Sequence, residues 1–217
     1  MLNDSFIFYK ELKMKKILAC FAAVFVSAAL SAGELTFQSV CKQLSARPNM
    51  TGNFTQVKTI KKAGRELKSS GTFIFSLDGI MWKTLKPFPS TLAVGKTSVI
   101  QTMQDGRQTV IDASSNQIFT SIASTLSAVF SGNADALSAN FTVQFSGDSE
   151  RWRAILSPKD RAIAAVLQSI TLSGANGADM NAIVMTEASG DTITYRFSDQ
   201  KYPLELSDAE KSYFIAK

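Results

Sequence analysis

Three short stretches carry residue types that could do chemistry. Ser39-Val40-Cys41-Lys42 has the S-x-x-K spacing of a serine nucleophile with a lysine base. Gly95-Lys96-Thr97 reads like the end of a phosphate-binding loop. Asp148 and Glu150 have the residue types of a glycosidase carboxylate pair. Each fails on its surroundings. The serine and lysine lie on an amphipathic helix with no companion S-D-N or K-T-G motif. Ser90 stands where a phosphate loop needs its first glycine, and Gly95 falls between two strands with no helix N-terminus to receive a phosphate. The loop SGDSER is turn chemistry, so its acids are solvated charges. The chain contains no histidine, which removes the commonest general base and metal ligand. Two cysteines, Cys20 and Cys41, cannot build a zinc site of ordinary type. An enzyme, a metal or a cofactor is not expected.

What remains is apolar surface. In GTFIFSLDGIMWKTLKPFPS (71–90), Phe73 and Phe75 point one way along a strand and Ile74 the other. Phe54, Phe73, Phe75, Trp82, Phe119, Phe130, Phe141, Phe145 and Trp152 recur across the chain. Either they fill a closed core or they line a cavity, since both use the same residue types. The candidate cavity set is Phe54, Phe73, Phe75, Trp82, Phe119, Ile122, Leu126, Val129, Phe130, Phe141 and Phe145. At a cavity wall, Phe75→Ala should cost less stability than in a close-packed core.

The elements that must position these residues follow from periodicity. Glu34–Ala46 is an amphipathic helix with Phe37, Val40, Cys41 and Leu44 on one stripe, stopped by Arg47-Pro48. Cys41 is therefore a core thiol. From residue 50 the period is two, giving strands at Thr51–Thr59, Glu66–Ser76, Ile80–Thr84, Thr91–Val94, Val99–Met103 and Thr109–Asp112. A helix from Ser115 to a Gly132 cap follows, with Ile118, Ile122, Leu126, Val129 and Phe130 on one face. Strands resume at Asn140–Phe145, Arg151–Leu156, Leu167–Leu172, Met180–Glu187 and Thr192–Phe197, and SYFIA is expected to add an edge strand. About eleven strands joined by short connections make an antiparallel sheet that curls, with helices over its concave side.

The start of the chain reads differently. MKKILACFAAVFVSAALSAGEL, from Met14, has two lysines, an apolar run and small residues, the pattern of a secretory signal peptide. Met1–Lys13 is an upstream extension. Cys20 is not a lipidation site, because most of the apolar run follows it. The mature chain is then a single domain, residues 34–217, exported with Cys41 alone and so without an internal disulfide. A 45% hydrophobic chain of 217 residues can bury a substantial core, and a formal charge of only +5 gives no nucleic-acid footprint.

The order of motifs resembles the LolA family of periplasmic lipoprotein carriers. Phe54-Thr55-Gln56 stands on the first strand, Gly71 before the aromatic strand, and Trp82 with Pro87 five residues on. Gly95-Lys96-Thr97 follows at a hairpin, then Trp152 and Leu156-Ser157-Pro158-Lys159. That resemblance implies an unclosed antiparallel β-barrel with a helical lid, holding lipoprotein acyl chains in its cavity. It implies a monomer that takes cargo from an inner-membrane LolCDE-type ABC transporter to an outer-membrane LolB-type acceptor. The alternative is a periplasmic sensor or a glycolipid or fatty-acid carrier of the same fold. Where the family carries a basic residue and a proline before its Trp strand, this chain has Leu77-Asp78-Gly79, so the arginine latch of the lid is absent or moved. The end of the chain is also short by the family's pattern. N-terminal sequencing of the protein from a periplasmic fraction should read Gly33 or Glu34; recovery in membranes with an acylated N-terminus would contradict the export reading.

Overall fold

Period-two alternation from residue 49 onward lays down one antiparallel sheet, and the computed structural model describes residues 35–95, 98–112, 124–125, 127–176 and 179–215. Helix α1 (Phe37–Ser45) starts at a capping box, in which Thr36 and Ser39 bond each other's backbone N–H. Its buried stripe is Phe37, Val40, Cys41 and Leu44, as the spacing predicts. The strands are β1 (Asn49–Ile60), β2 (Arg65–Ser76), β3 (Gly79–Lys86), β4 (Ser90–Gly95), β5 (Ser98–Met103) and β6 (Gln108–Asp112). After helix α2 (Ala134–Asn140) come β7 (Phe141–Gly147) and β8 (Arg151–Pro158). Helix α3 (Arg161–Ala164) leads to β9 (Leu167–Ala175), β10 (Asp179–Glu187) and β11 (Thr192–Lys201), and α4 (Asp208–Lys211) ends in a 3₁₀ turn, Ser212–Phe214.

The sheet runs β6-β5-β4-β3-β2-β1-β11-β10-β9-β8-β7, so β1 and β11 close the chain's two halves against each other. Among the described residues β6 and β7 are the free ends and do not pair, which leaves the barrel open. Each strand predicted between Thr51 and Phe197 is present, most of them longer by a residue or more.

The two faces have separate jobs. Phe54, Phe73, Phe75, Ile80, Trp152, Leu172, Ile183 and Phe197 bury one face together with the α1 stripe, Val129, Phe130 and Leu137. That single cluster joins residues from β3 and from β7, so the sheet curls around the helices. Ile74, Met81, Ala93 and Ile100 face outward and are covered by Leu206, Tyr213 and Phe214. SYFIA is therefore not an edge strand. The chain leaves the sheet after β11 and crosses the outer face, where Tyr213 and Phe214 pack on its apolar residues.

The predicted middle helix lies mostly outside the described residues. Residues 127–130 are helical, and Gly132 takes φ +72°, the left-handed cap expected there. Helices α2, α3 and α4 were not expected, because one or two turns are too short to display a helical period.

Gly71 shows why one backbone position tolerates no side chain. A bulge between Ser70 and Gly71 in the β2–β3 pairing brings β3 close, and a Cβ on Gly71 would sit 1.9 Å from the Lys83 carbonyl oxygen. Backbone cannot yield as a side-chain tip would. Gly71→Ala should therefore lower unfolding free energy by about 1–3 kcal/mol, read by urea denaturation. An unchanged midpoint would show that the bulge relaxes freely.

Candidate functional site

The inner face is built around rings. Phe75 lies 4.7 Å from Phe73, 5.6 Å from Trp82, 5.2 Å from Phe130 and 5.4 Å from Phe197, centroid to centroid, and is 0% exposed. Phe73 also meets Phe197 at 4.7 Å, and Tyr195 bridges Phe54 and Trp82 at 5.9 and 5.8 Å. Tilted and edge-on contacts of this kind each add about 0.5–1.5 kcal/mol beyond burial.

Of the predicted set, Phe54, Phe73, Phe75, Val129, Phe130 and Phe141 are buried in this cluster, and Trp82 and Phe145 pack against it half-buried. Phe119, Ile122 and Leu126 lie outside the described residues. Phe197, Tyr195 and Phe37 were missed. Alternation of Tyr195 and Phe197 on a predicted strand was the available signal, and the register Phe54↔Phe197 completes it. The rings touch one another here, so Phe75 sits in close-packed surroundings and the smaller loss expected at a cavity wall does not apply to it. Space lies beside them: a cavity of about 550 Å³, within the usual range for ligand sites, is lined by Thr125, Ala128, Leu137, Phe141, Lys159 and Ile163. Its lining comes from the helical segment, α2, the start of β7 and the turn into α3, with Asn140 and Asp160 among its polar groups and with Leu137 and Phe141 shared with the core. The indole N–H groups of Trp82 and Trp152 are buried without an acceptor among the described residues.

Helix α1 covers the cluster, with Phe37 reaching Phe145 of β7 at 6.1 Å. Its end is tied down by a polar network. Arg47 donates from Nη1 to Asp179 Oδ1 at 2.8 Å while its guanidinium lies 4.2 Å over the Tyr202 ring. The Tyr202 hydroxyl is 3.1 Å from the same carboxylate oxygen and 2.6 Å from Gln200 Oε1, sharing its one proton. Asn176 donates to Asp179 Oδ2 at 3.3 Å. Burial alone would raise the Asp179 pKa, but the hydrogen bonds from Arg47, Asn176 and Tyr202 outweigh it and hold the carboxyl below its usual range. Cys41, on the buried stripe of α1, is pushed up to about 12 by burial, an inert thiol as expected. At Ser76–Gly79, where the family latch would stand, the Ser76 hydroxyl donates to the Gly79 carbonyl and accepts the Asp78 N–H, making a tight turn.

The three partial motifs have structural jobs. Ser39 belongs to the capping box and donates to Thr36 O at 2.8 Å. Gly95 ends one strand and Ser98 begins the next, so that motif spans a hairpin turn whose Lys96 and Thr97 lie outside the described residues. Asp148 accepts the backbone N–H groups of Glu150 and Arg151, which shapes the β7–β8 turn and lowers its pKa. No cluster of metal-binding side chains occurs among the described residues.

The tie gives a pH-dependent expectation. A carboxyl with a depressed folded pKa contributes stability above its unfolded value of about 3.9 and loses it as pH falls through the folded value. Asp179→Asn should raise the rate of Cys41 modification by dithiodipyridine several-fold at neutral pH, in a Cys20→Ser background. The parent should approach that rate only in acid. Equal rates at all pH values would show that Arg47 and Asp179 do not hold α1.

Likeness to solved structures is distant. A LolA superfamily protein from Nitrosomonas europaea aligns at 12% identity and a TM-score of 0.44, covering 82% of this chain and 97% of that one. A DUF1329 family protein from Desulfovibrio piger aligns at 10% identity and 0.47, covering 82% and 94%. A chain of the Pseudomonas aeruginosa MucA/MucB complex aligns at 10% and 0.44, covering 81% and 60%. No curated protein matches the chain at a significant level. Residues 47–210, from the end of α1 to α4, match the family described as outer membrane lipoprotein carrier protein LolA, and the chain therefore belongs to the LolA family.

Proposed function

We propose that this protein is a periplasmic carrier that holds lipoprotein acyl chains against its ringed inner face and moves them from the inner to the outer membrane. One observation carries the reading: an uninterrupted apolar face covered by a helix that polar side chains fasten at its end, beside a 550 Å³ cavity. A sealed core has no need of a cover held by exchangeable bonds. The LolA family is one of periplasmic carriers, and a carrier needs no catalytic group. Residues 34–217 form the exported domain, after removal of 1–33, and act as a monomer. Cargo arrives from a LolCDE-type transporter and leaves to a LolB-type acceptor. The walls are the aromatic positions of β1–β3 and β7 with helical residues 127–130, and the sequence spacing alone adds Phe119, Ile122 and Leu126 to the proposed set.

The energetics favour exchange over storage. Burying one methylene from water is worth about 0.8 kcal/mol, so long acyl chains moved from water would exceed the ~20 kcal/mol ceiling on non-covalent affinity. Moved from a bilayer, the chains are dry at both ends and the difference is small. Ester and amide carbonyls of such a cargo would also offer acceptors to the buried Trp82 and Trp152 indoles.

The test separates binding from folding. Ala128→Trp plugs the cavity mouth from a half-buried position and should weaken displacement of a fluorescent fatty-acyl probe about tenfold, equal to about 1.4 kcal/mol, with unfolding unchanged. Phe75→Ala, in contact with four rings, should cost about 3–5 kcal/mol of stability. A parent protein that never binds the probe, or an Ala128→Trp variant that binds it equally, would remove the acyl-chain reading.

A further inference from the structure

In an antiparallel sheet of this order, the β1–β2, β3–β4 and β5–β6 turns lie at one end. That end is apolar and basic at once. Phe88, at the tip of the β3–β4 turn, is 81% exposed, and Leu85, Leu67 and Met103 are 48%, 48% and 45% exposed. Register places them together. Pairing of β2 with β3 stops at Ser70↔Lys86, so Leu67 and Lys68, paired only with β1, extend past β3 at the end that carries the Phe88 turn, and Met103 pairs with Ser90 beside that turn. Lys62, Arg65 and Lys86 are exposed around them. The acids among these strands at this end, Glu66 and Asp105, are paired with Lys68 and Arg107. The opposite end carries Asp78, Asp148 and Glu150 in its turns, beside Arg151, and the β10–β11 turn brings Asp191 to the Phe88 end, where it accepts the Lys61 N–H.

We infer that this basic rim docks on an anionic lipid bilayer, with Phe88 entering the headgroup layer. An exposed phenylalanine in water is costly and is stabilised at a bilayer interface. Flanking cations are drawn by the negative surface potential of such a membrane. Pro87 and Pro89 suit the loop to that environment, because neither has an N–H to leave unsatisfied near lipid. Docking of this kind goes beyond cargo binding, since it depends on no residue of the inner face.

A Phe88→Trp chain mixed with protein-free vesicles containing brominated phosphatidylglycerol tests the docking, with vesicles of brominated phosphatidylcholine as the reference. The leader is common to every chain compared, so the residue-88 signal reports the rim. Tryptophan emission should be quenched in the anionic vesicles at low salt and lose that quenching as salt rises. Lys62→Glu with Lys86→Glu should abolish the preference for anionic lipid. In co-sedimentation, Phe88→Ser should partition about tenfold less than the parent. Absence of quenching in anionic vesicles, or equal partitioning of Phe88→Ser and the parent, would overturn the docking. Binding to native membranes but not to protein-free vesicles would assign the rim to a protein partner and overturn it equally.

Discussion

Ring contact around Phe75 is the constraint on which the rest of this molecule depends. Phe73 and Trp82 reach it from β2 and β3, Phe197 from β11, and Phe130 from the helical segment that covers the sheet. The first three fix the curl of the sheet, because β1 joins β2 to β11 and every inward ring must clear its neighbours across that seam. The fourth fixes the cover. A sheet open between β6 and β7 has no closed ladder to hold its shape, so side-chain packing on the inner face must do it.

Fastening of the cover is a different kind of interaction. Apolar contact between α1 and the sheet is non-directional and survives small sliding. Arg47, Asp179 and Tyr202 instead fix one geometry at the end of α1, with both members of the ion pair about one-third exposed. Exposure keeps that tie weak enough to exchange with water. The outer face has its own tie, since Lys83 donates to the Tyr213 hydroxyl at 3.2 Å and lies 5.7 Å over its ring, while Tyr213 and Phe214 pack on Ile74, Met81 and Ala93.

Strands were legible because turn residues and period two act locally. Gly64, Gly106 and Gly190 take the positive φ that their turns require, and most strand ends were missed where pairing runs on past the turn signal, while Asn140, expected in a strand, ends helix α2. Phe73 and Phe75 opposite Ile74 were legible for the same reason. The family resemblance was carried by motif order, and the structure adds a physical reason for one motif, Gly71, where the bulge leaves no room for a Cβ. Long-range partners were not legible. Arg47 meets Asp179 across 132 residues of sequence, and nothing near either announces the pairing. SYFIA was misread because its aromatic content suits a strand as well as a covering turn.

Lipid extraction and mass spectrometry of the protein, purified without detergent from the envelope of its own cells, test the central claim most directly. Acylated ligands should be recovered in proportion to protein and be lost when Trp replaces Ala128 at the cavity mouth. Protein that carries no acyl species, in parent and variant alike, would contradict the account.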